Sequence, residues 1–378
     1  MTRAEYSIKH HFGGLTDPRY RWNVAHNLED IVTIAICGAI CGADDWVAIA
    51  AFGEAKEEWL RTFLALPNGI PSEDTFRRVF EKLDPEEFQS CFISWVQGIS
   101  QVVAGERIAI DGKRLRRSHD GSLGKAAIHM VSAWACDNRL VLGQVKTDEK
   151  PNEITAIPEL LKVLALAGCI VTIDAMGCQT EIAELIIEQQ ADYVLSLKGN
   201  QGRLHQEVQE LFEYAFETDF RDIEHDFHQR FDKGHGRLEI RRCWTISEPD
   251  FLAYLNPTDK WAGLQSIGLV EAERHLDGSV TIERRFFISS LEGQADQFAQ
   301  AVRDHWQIEN RLHWVLDIAF REDEARLRKG YGAQNMAILR HIALNLLQQD
   351  RSKQCGIHNK RLIAAWNHDF LLHLLNLS

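Results

Sequence analysis

Three acidic residues occupy positions where a carboxylate is costly unless a partner or a cation neutralises it. Asp111 and Asp174 each follow a short apolar run that is typical of a buried strand, in RIAIDG and CIVTID. Glu309 lies among aromatic and apolar residues in HWQIENRLHW. An unpaired buried charge destabilises a protein by several kcal/mol, so each of these carboxylates requires a partner.

The chemistry open to three such carboxylates is metal-assisted phosphoryl transfer. Two like charges about 4 Å apart repel by about 4 kcal/mol at an effective dielectric near 20, so three together need a divalent cation. Oxygen ligands favour Mg²⁺ or Mn²⁺ over zinc. A pair of such ions about 3.5 to 4 Å apart activates a water or a 3′-hydroxyl against a phosphodiester. Asp174 is therefore predicted to be a metal ligand.

Each of these acidic residues also has an ordinary structural explanation. Asp111 could form an Asp-Gly turn, Asp174 could cap the helix that follows it, and Glu309 could pair with Arg303 or Arg311 on a solvated face. In open α/β sheets, functional groups gather at the carboxyl ends of strands. The occurrence of all three in this element order therefore favours a shared site.

Cations that could hold a nucleic-acid backbone lie close to these carboxylates. Between Arg107 and Lys125 there are six basic residues against two acidic ones, although the whole chain has a net charge of -13. Lys198 follows a predicted strand, where an ordinary loop is the alternative. Arg237 and Arg241 share a strand face, where a salt bridge to Glu239 is the alternative. The candidate DNA contacts from these segments are Lys113, Arg114, Arg116, Arg117, Lys198, Arg237 and Arg241.

The composition predicts a folded cytoplasmic protein with more than one domain. The chain has 378 residues with 45% hydrophobic content, too long for one ordinary core. No run approaches the roughly 18 apolar residues of a membrane span, and the first 27 residues lack the apolar centre of a signal peptide. The eight cysteines are scattered and are predicted to be reduced and structural.

Residues 1–104 are predicted to form an all-helical N-terminal domain, and residues 105–217 the first part of an α/β core. Arg77 and Arg78 lie in a capped helix of the first segment that could bind DNA ends, with a plain bundle helix as the alternative. In the core, three strands linked as hairpins precede a helix-strand-helix-strand order, which indicates a mixed sheet with helices on its faces. The predicted core strands cover 107–112, 127–136, 140–147, 169–174 and 191–199, and the helices 153–166, 179–190 and 203–217.

Residues 218–292 are predicted to be a separate β-rich insertion, with strands near 236–246, 264–275 and 280–290 and a turn at Asp277-Gly278. Residues 293–378 return to helix, over 299–320 and 335–348, while the stretch near 361–371 is interpreted as packing only. Glu309, His313 and Asp317 are spaced four and four, which predicts one helical face. A structural network there is favoured over metal ligation by Asp317.

Seven segments carry a resemblance to a known family: IDGKRLRRSHD, IHMVSAWA, LVLGQVKTDEKPNEITAIPELL, VTIDAMGCQTEIA, ADYVLSLKGNQ, HGRLEIRR and HWQIENRLHWVLDIAFREDEARLRKG. On these segments the chain resembles the bacterial insertion-sequence DDE transposases that include the H-repeat-associated proteins. The resemblance covers 107–348. It implies a ribonuclease-H-like mixed sheet with flanking helices, interrupted by a β-rich insertion before the last catalytic helix, and Mg²⁺ or Mn²⁺ as cofactor. Carried over by motif, the catalytic and metal-binding residues are Asp111, Asp174 and Glu309.

The chain departs from that family around Glu309. Related transposases often have Arg four residues before the glutamate and Lys seven after it, where this chain has His305 and Leu316. Protonated His305 is a further candidate DNA contact. The missing lysine leaves its role without a residue in this chain.

The resemblance implies metal-dependent DNA cleavage and strand transfer at the ends of an insertion sequence. The expected partners are double-stranded DNA, as element ends and as target, and a second copy of the chain, with no membrane. Two alternatives stay open: a metal-dependent nuclease that cuts without joining, and an inactive or domesticated DNA-binding protein derived from such a transposase.

Overall fold

The computed structural model describes residues 8–20, 24–100, 103–119, 127–147, 153–234, 237–276 and 279–376. Lys125 and the predicted turn at Asp277-Gly278 lie outside these ranges. None of the helices within them is both long enough and apolar enough to span a membrane. All eight cysteines are free thiols.

Helices and strands alternate through the middle of the chain, between two helical ends. The helices are α1 (Ile8–Phe12), α2 (Leu28–Ile40), α3 (Trp46–Ala55), α4 (Glu57–Leu60), α5 (Glu73–Lys82), α6 (Pro85–Ile99), α7 (Glu153–Val163), α8 (Thr180–Glu188), α9 (Gly202–Glu217), α10 (Pro249–Leu255), α11 (Ala295–His305), α12 (Trp314–Ala319), α13 (Gly332–Gln349), α14 (Ile357–Trp366) and α15 (His368–Asn376). The strands are β1 (Arg107–Arg114), β2 (His129–Ala135), β3 (Leu140–Lys146), β4 (Ile170–Ile173), β5 (Asp192–Leu197), β6 (His225–Gly234), β7 (Arg237–Ile246), β8 (Ser266–Leu276) and β9 (Ser279–Ser289).

The chain divides into two compact units, and both contain segments that are far apart in sequence. The first unit comprises Met1–Gln101, Gly112–Pro151 and Glu309–Ser378, and the second comprises Val102–Asp111 and Asn152–Ile308. The four-segment domain division predicted from sequence stays a prediction.

In the first unit, the apolar helix α13 is buried along most of its length and packs against α2, α5, α6 and β3. Two asparagines of α13 form hydrogen bonds with backbone groups of other elements that have no partner within those elements. The Asn345 side chain bonds both the N–H and the carbonyl of Val141 on β3, at 2.8 and 2.9 Å. The Asn335 amide donates to the carbonyls of Phe80 and Leu83 at the end of α5, at 2.8 and 2.9 Å. These bonds replace the water that a strand edge or a helix end would otherwise need.

The sheet of the second unit combines parallel and antiparallel strands. Its order is β1-β4-β5-β9-β8-β7-β6. The pairs β1-β4 and β4-β5 are parallel, and all later pairs are antiparallel. Helix α11 packs closely on this sheet, since a Cβ at Gly268 would lie 2.2 Å from Phe298 Cζ.

The structure adds to the predicted elements. The predicted insertion is β-rich, and its last strand β9 pairs with β5 of the core from Val194↔Ser289 to Leu197↔Phe286. That pairing covers an edge that would otherwise expose unpaired backbone groups. The sequence HDFHQRFDKG was not predicted as a strand because it lacks apolar alternation, yet its ten residues form β6 by pairing with β7. The stretch near 361–371, interpreted as packing only, covers the end of α14 and the start of α15, within a segment that was predicted to be helical.

Candidate active site

Asp111 and Asp174 occupy equivalent positions on neighbouring parallel strands. Ile110 of β1 and Ile173 of β4 are register partners, and each aspartate is the next residue in the chain. Neighbouring strands lie about 4.8 Å apart, so the backbone positions of the two aspartates lie side by side where β4 ends. Both side chains are partly buried.

The first strand, predicted over 107–112, is two residues longer than expected. β1 runs through to Arg114, whereas β4 has only four residues and ends at Ile173. Asp111 is therefore the first residue of β1 beyond the part paired with β4. The Asp-Gly pair at 111–112 continues the strand and does not form the turn considered as its structural alternative.

The Asp174 carboxylate is held in place by backbone donors. Its Oδ1 accepts hydrogen bonds from the N–H groups of Met176 and Gly177, at 3.0 and 3.4 Å, and so caps the short 3₁₀ turn Ala175–Gly177. The capping role considered from sequence is therefore present. It engages one oxygen and orients the carboxylate, which is compatible with metal ligation through the other oxygen.

His305 packs against the strand that carries Asp174. Its Nδ1 lies 3.1 Å from the Thr172 Oγ1 atom, two residues before Asp174 on β4. Burial lowers the pKa of His305 to about 4, although the nearby Asp174 carboxylate acts in the opposite direction. His305 is therefore neutral at pH 7. Its predicted contact with phosphate as a protonated side chain has no support in this environment.

Glu309 is exposed and is the second residue of a π-helical turn, Ile308–His313. Leu312 and Leu316 of the same segment are buried, whereas Glu309 is not. A π turn replaces the regular α-helix from which the four-and-four row through His313 and Asp317 was predicted, so that row stays a prediction. Glu309 lies in the first unit and the two aspartates in the second. Their meeting stays a prediction.

The side chains near Asp111 and Asp174 decide whether the predicted metal fits this site. Across the described ranges, no group of three or more His, Cys, Asp or Glu side chains is arranged to hold an ion. The pair Asp111 and Asp174 nevertheless has the donor chemistry of a hard divalent cation, because both side chains are carboxylates. Burial, and then the Asp174 charge, raises the pKa of the Cys178 thiol near Asp174 to about 12.

Lys113, predicted to contact DNA, lies in an ion cluster inside the first unit. Its Nζ lies 2.5 Å from Asp317 Oδ1 and 2.8 Å from Glu322 Oε2. It also donates to the carbonyl of His313, the last residue of the π-helical turn, at 3.3 Å. On its other side Glu322 pairs with Arg340, at 3.5 Å. These bonds count against a DNA contact by Lys113 and agree with the structural network favoured for Asp317.

The other cations predicted to contact DNA are either exposed or engaged in salt bridges. Arg114, Arg117 and Lys198 are exposed. Arg116 is exposed as well and pairs with Asp323 at 3.1 Å. In the second unit, the buried Glu239 carboxylate forms salt bridges with Arg241 at 2.9 Å, Arg274 at 3.2 Å and Arg237 at 3.9 Å. The salt-bridged strand considered as the alternative for Arg237 and Arg241 is therefore present.

Arg77 and Arg78 of α5 are engaged within their own helix. Arg77 pairs with Asp74 and with Glu81, the latter at 3.2 Å, and Arg78 pairs with Asp74 at 3.2 Å. These bonds favour the plain bundle helix over DNA recognition by this helix.

Comparison with known families identifies the chain. Residues 9–96 match the family model described as DDE_Tnp_1-associated, and residues 104–346 match the one described as Transposase DDE domain. The chain belongs to the DDE transposase family.

Relatives of this DDE transposase family member cover almost its whole length. The "H repeat-associated putative transposase YhhI" of Escherichia coli (strain K12) is 40% identical over 374 residues, which cover 97% of each chain. The "Putative transposase YncI" of Escherichia coli O157:H7 is 40% identical over 373 residues, which cover 98% of this chain and 94% of that one. The resemblance seen in the sequence and its ribonuclease-H-like fold class are confirmed.

One solved structure aligns with this DDE transposase family member over 98% of its length and 77% of the other chain. It is a cryo-EM structure of the piggyBac transposase synaptic complex with hairpin DNA, with a TM-score of 0.41 and 11% sequence identity. A likeness at that level supports no further conclusion.

Sequence patterns did not single out Glu322, Arg340 and His341 of this DDE transposase family member. Arg340 and His341 are buried in the middle of α13, a helix that is otherwise apolar on nearly every side. Charged residues inside such a run were the available signal, because a buried cation requires a carboxylate partner. The sequence does not identify that partner, which comes from a different segment.

Proposed function

We propose that this DDE transposase family member cleaves DNA at the ends of an insertion sequence and joins the exposed 3′ end to target DNA. The proposal rests on one observation above all. The parallel register of β1 and β4 makes Asp111 and Asp174 neighbours at the carboxyl end of β4. Carboxyl ends of strands are where α/β sheets collect functional groups, and family membership supports the same site.

Asp111 and Asp174 would hold the divalent ion, Mg²⁺ or Mn²⁺, with Glu309 as the third ligand. When bound, the ion supplies activation of the attacking oxygen and neutralisation of the leaving oxygen. The N–H groups of Met176 and Gly177 keep the Asp174 carboxylate oriented before DNA arrives. Exposed Arg114 and Arg117, a few residues after Asp111, would hold the phosphate backbone.

The decisive experiment measures DNA binding and DNA cleavage separately. Duplexes taken from the two ends of the genomic segment that carries this gene are incubated with the protein in Mg²⁺. We expect Asp111→Asn, Asp174→Asn and Glu309→Gln each to abolish cleavage while binding stays within about twofold, because a phosphate-dominated affinity does not depend on these carboxylates. Asp174→Asn that still cleaves the duplex would remove the proposal.

A matched control is available in the same unit as the aspartates. Asp222 is exposed in a turn at φ 59, a conformation that asparagine also adopts. Asp222→Asn makes the same chemical change away from the proposed site and should leave cleavage intact. If it abolishes cleavage too, the loss in Asp174→Asn reflects general damage.

Addition of a supercoiled target plasmid separates the proposal from its alternatives. Joined products are expected for a transposase. Cut ends without joined products would identify a nuclease, and salt-dependent binding without cleavage would identify a DNA-binding protein.

We also propose that two copies act together on DNA, because two ends must be handled. Light scattering with and without end duplexes should show a mass of two chains on DNA.

A further inference from the structure

The first unit has an open cleft of about 980 Å³, which is at the upper end of the roughly 300–1,000 Å³ typical of ligand pockets. It lies between the turn after β2, the helix α12 and the chain from the end of α13 to the start of α14. We call it the Trp314 cleft. Its lining includes Arg139, Trp314, Ile318, Arg351 and Lys353.

Two apolar side chains that line the Trp314 cleft are open to solvent. Trp314 and Ile318 are four residues apart on α12, so they lie on one face of that helix. Trp314 is 60% exposed and Ile318 is 58% exposed. Single exposed apolar residues are ordinary, but two adjacent ones in a concave surface form a contact area for a ligand with an apolar face.

The rim of the Trp314 cleft is cationic in a chain whose net charge is -13. Arg139, Arg351 and Lys353 are exposed there, and Asp137 is the one exposed carboxylate among the lining residues. Within the described part of the chain, no ion pair engages these three cations. The charge of the rim is therefore complementary to a polyanion.

The wall that carries Arg351 and Lys353 is built on a buried ion pair. Lys360 Nζ lies 3.2 Å from Asp350 Oδ2, and both residues are at most 6% exposed. Asp350 Oδ1 also accepts from the Ser352 N–H at 3.0 Å, and Oδ2 accepts from the Lys353 N–H at 3.3 Å. Asp350 therefore holds the loop in one conformation and places both cations at the cleft.

We propose that the Trp314 cleft binds single-stranded nucleic acid, with unpaired bases stacked on Trp314 and phosphates paired with Arg139, Arg351 and Lys353. A duplex presents phosphates but keeps its base faces stacked inside. An exposed tryptophan side chain therefore selects unpaired bases. This inference rests on the proposed function only for the identity of the ligand as DNA.

The test uses a fluorescein-labelled 20-nucleotide oligo-dT strand, which cannot pair with itself, and a duplex of equal length. Anisotropy titrations are run with Asp174→Asn protein, so that no cleavage is needed. Trp314→Ala should weaken oligo-dT binding roughly tenfold, Trp314→Phe should restore most of the affinity, and duplex binding should change less than twofold. Trp366→Ala removes a tryptophan that is 75% exposed outside the cleft, and should leave both affinities unchanged.

The cations are tested through the salt dependence of binding. Arg139→Gln and Arg351→Gln should each lower the slope of log affinity against log salt by about 0.7 for oligo-dT, whereas the exposed Arg221→Gln in the second unit should not. Wild-type affinity in Trp314→Ala, or an equal loss in Trp366→Ala, overturns the proposal.

The same variants separate this proposal from its rivals. If Trp314→Ala changes the mass of the protein in light scattering and not its DNA affinity, the cleft is a contact between copies and the proposal is wrong. Trp314-dependent oligo-dT binding by a protein that never cleaves DNA would leave this inference standing while the proposed function fails. Cleavage by the wild type, together with Trp314-independent oligo-dT binding, would give the reverse result.

Discussion

Lys113 Nζ lies 2.8 Å from Glu322 Oε2, and the Glu322 side chain is only 2% exposed. The cation comes from β1, two residues after Asp111, and the carboxylate comes from the chain just after α12. The first unit therefore ties the end of that strand to the segment that begins at Glu309 through a buried charge pair.

Replacing Lys113 should destabilise the protein strongly. Lys113→Met leaves Glu322 buried with Arg340 as its remaining cation partner at 3.5 Å. Breaking one side of a buried pair costs about 3–5 kcal/mol, which urea unfolding would measure. Arg116→Met removes a cation that is 77% exposed and pairs with Asp323, so its cost should stay below about 1 kcal/mol. Equal losses in the two variants would contradict this assignment.

Stability should fall in acid because of Glu322. Burial alone would raise the pKa of Glu322, but the charges of Lys113 and Arg340 outweigh it and lower the pKa to about 2, from an ordinary value of 4.5. The unfolded chain therefore binds more protons between these values, and the stability present above pH 4.5 is lost as pH falls toward 2. Between pH 5.5 and 3.5 this loss is about 1 kcal/mol. Urea midpoints of Glu322→Gln should show a shallower pH slope than wild type, and identical slopes would show that Glu322 is not the source of the acid sensitivity.

The two arginines beside Glu239 should have different roles. Arg241 lies 2.9 Å from Glu239 and 3.3 Å from Asp232, so Arg241→Gln should cost about 1.5–3 kcal/mol of unfolding free energy. Arg237 is 55% exposed and lies 3.9 Å from Glu239. If it contacts DNA as predicted, Arg237→Gln should leave stability unchanged and lower the salt slope of duplex binding by about 0.9. An unchanged salt slope would show that Arg237 only pairs with Glu239 and does not contact DNA.

Gly177 should be necessary for the position of Asp174. A Cβ at this residue would lie 2.3 Å from Ile173 Cγ2 and 2.9 Å from Ile157 Cδ1, so Gly177→Ala must move the turn that donates to the Asp174 carboxylate. We expect a stability loss of about 1–3 kcal/mol and a cleavage rate that falls while duplex binding persists. Gly199→Ala is the control, because Gly199 also lies in a short turn after a strand and its Cβ would meet nothing within 4 Å. Normal cleavage by Gly177→Ala would show that the turn tolerates the shift.

Local patterns in the sequence predicted most of the core elements. Apolar runs bounded by turns predicted β1 to β5, and amphipathic periods predicted α7, α8, α9 and α13, with boundaries that differ by a few residues. The exceptions are elements whose stability comes from a neighbour. The strand β6 is nearly all exposed and pairs along its whole length with β7, and that pairing has no signal in HDFHQRFDKG itself.

The amino-acid sequence alone determined the alternation of elements, the family resemblance and the placement of Asp111 and Asp174 after apolar strands, because these depend on residues close together in the chain. Only the tertiary structure decided that Ile110 and Ile173 are register partners, that His305 is neutral, and that Lys113 pairs with Asp317 and Glu322. Burial and charge pairing depend on which distant segments meet, and a carboxylate supplied from a remote segment leaves no trace beside the cation that it binds.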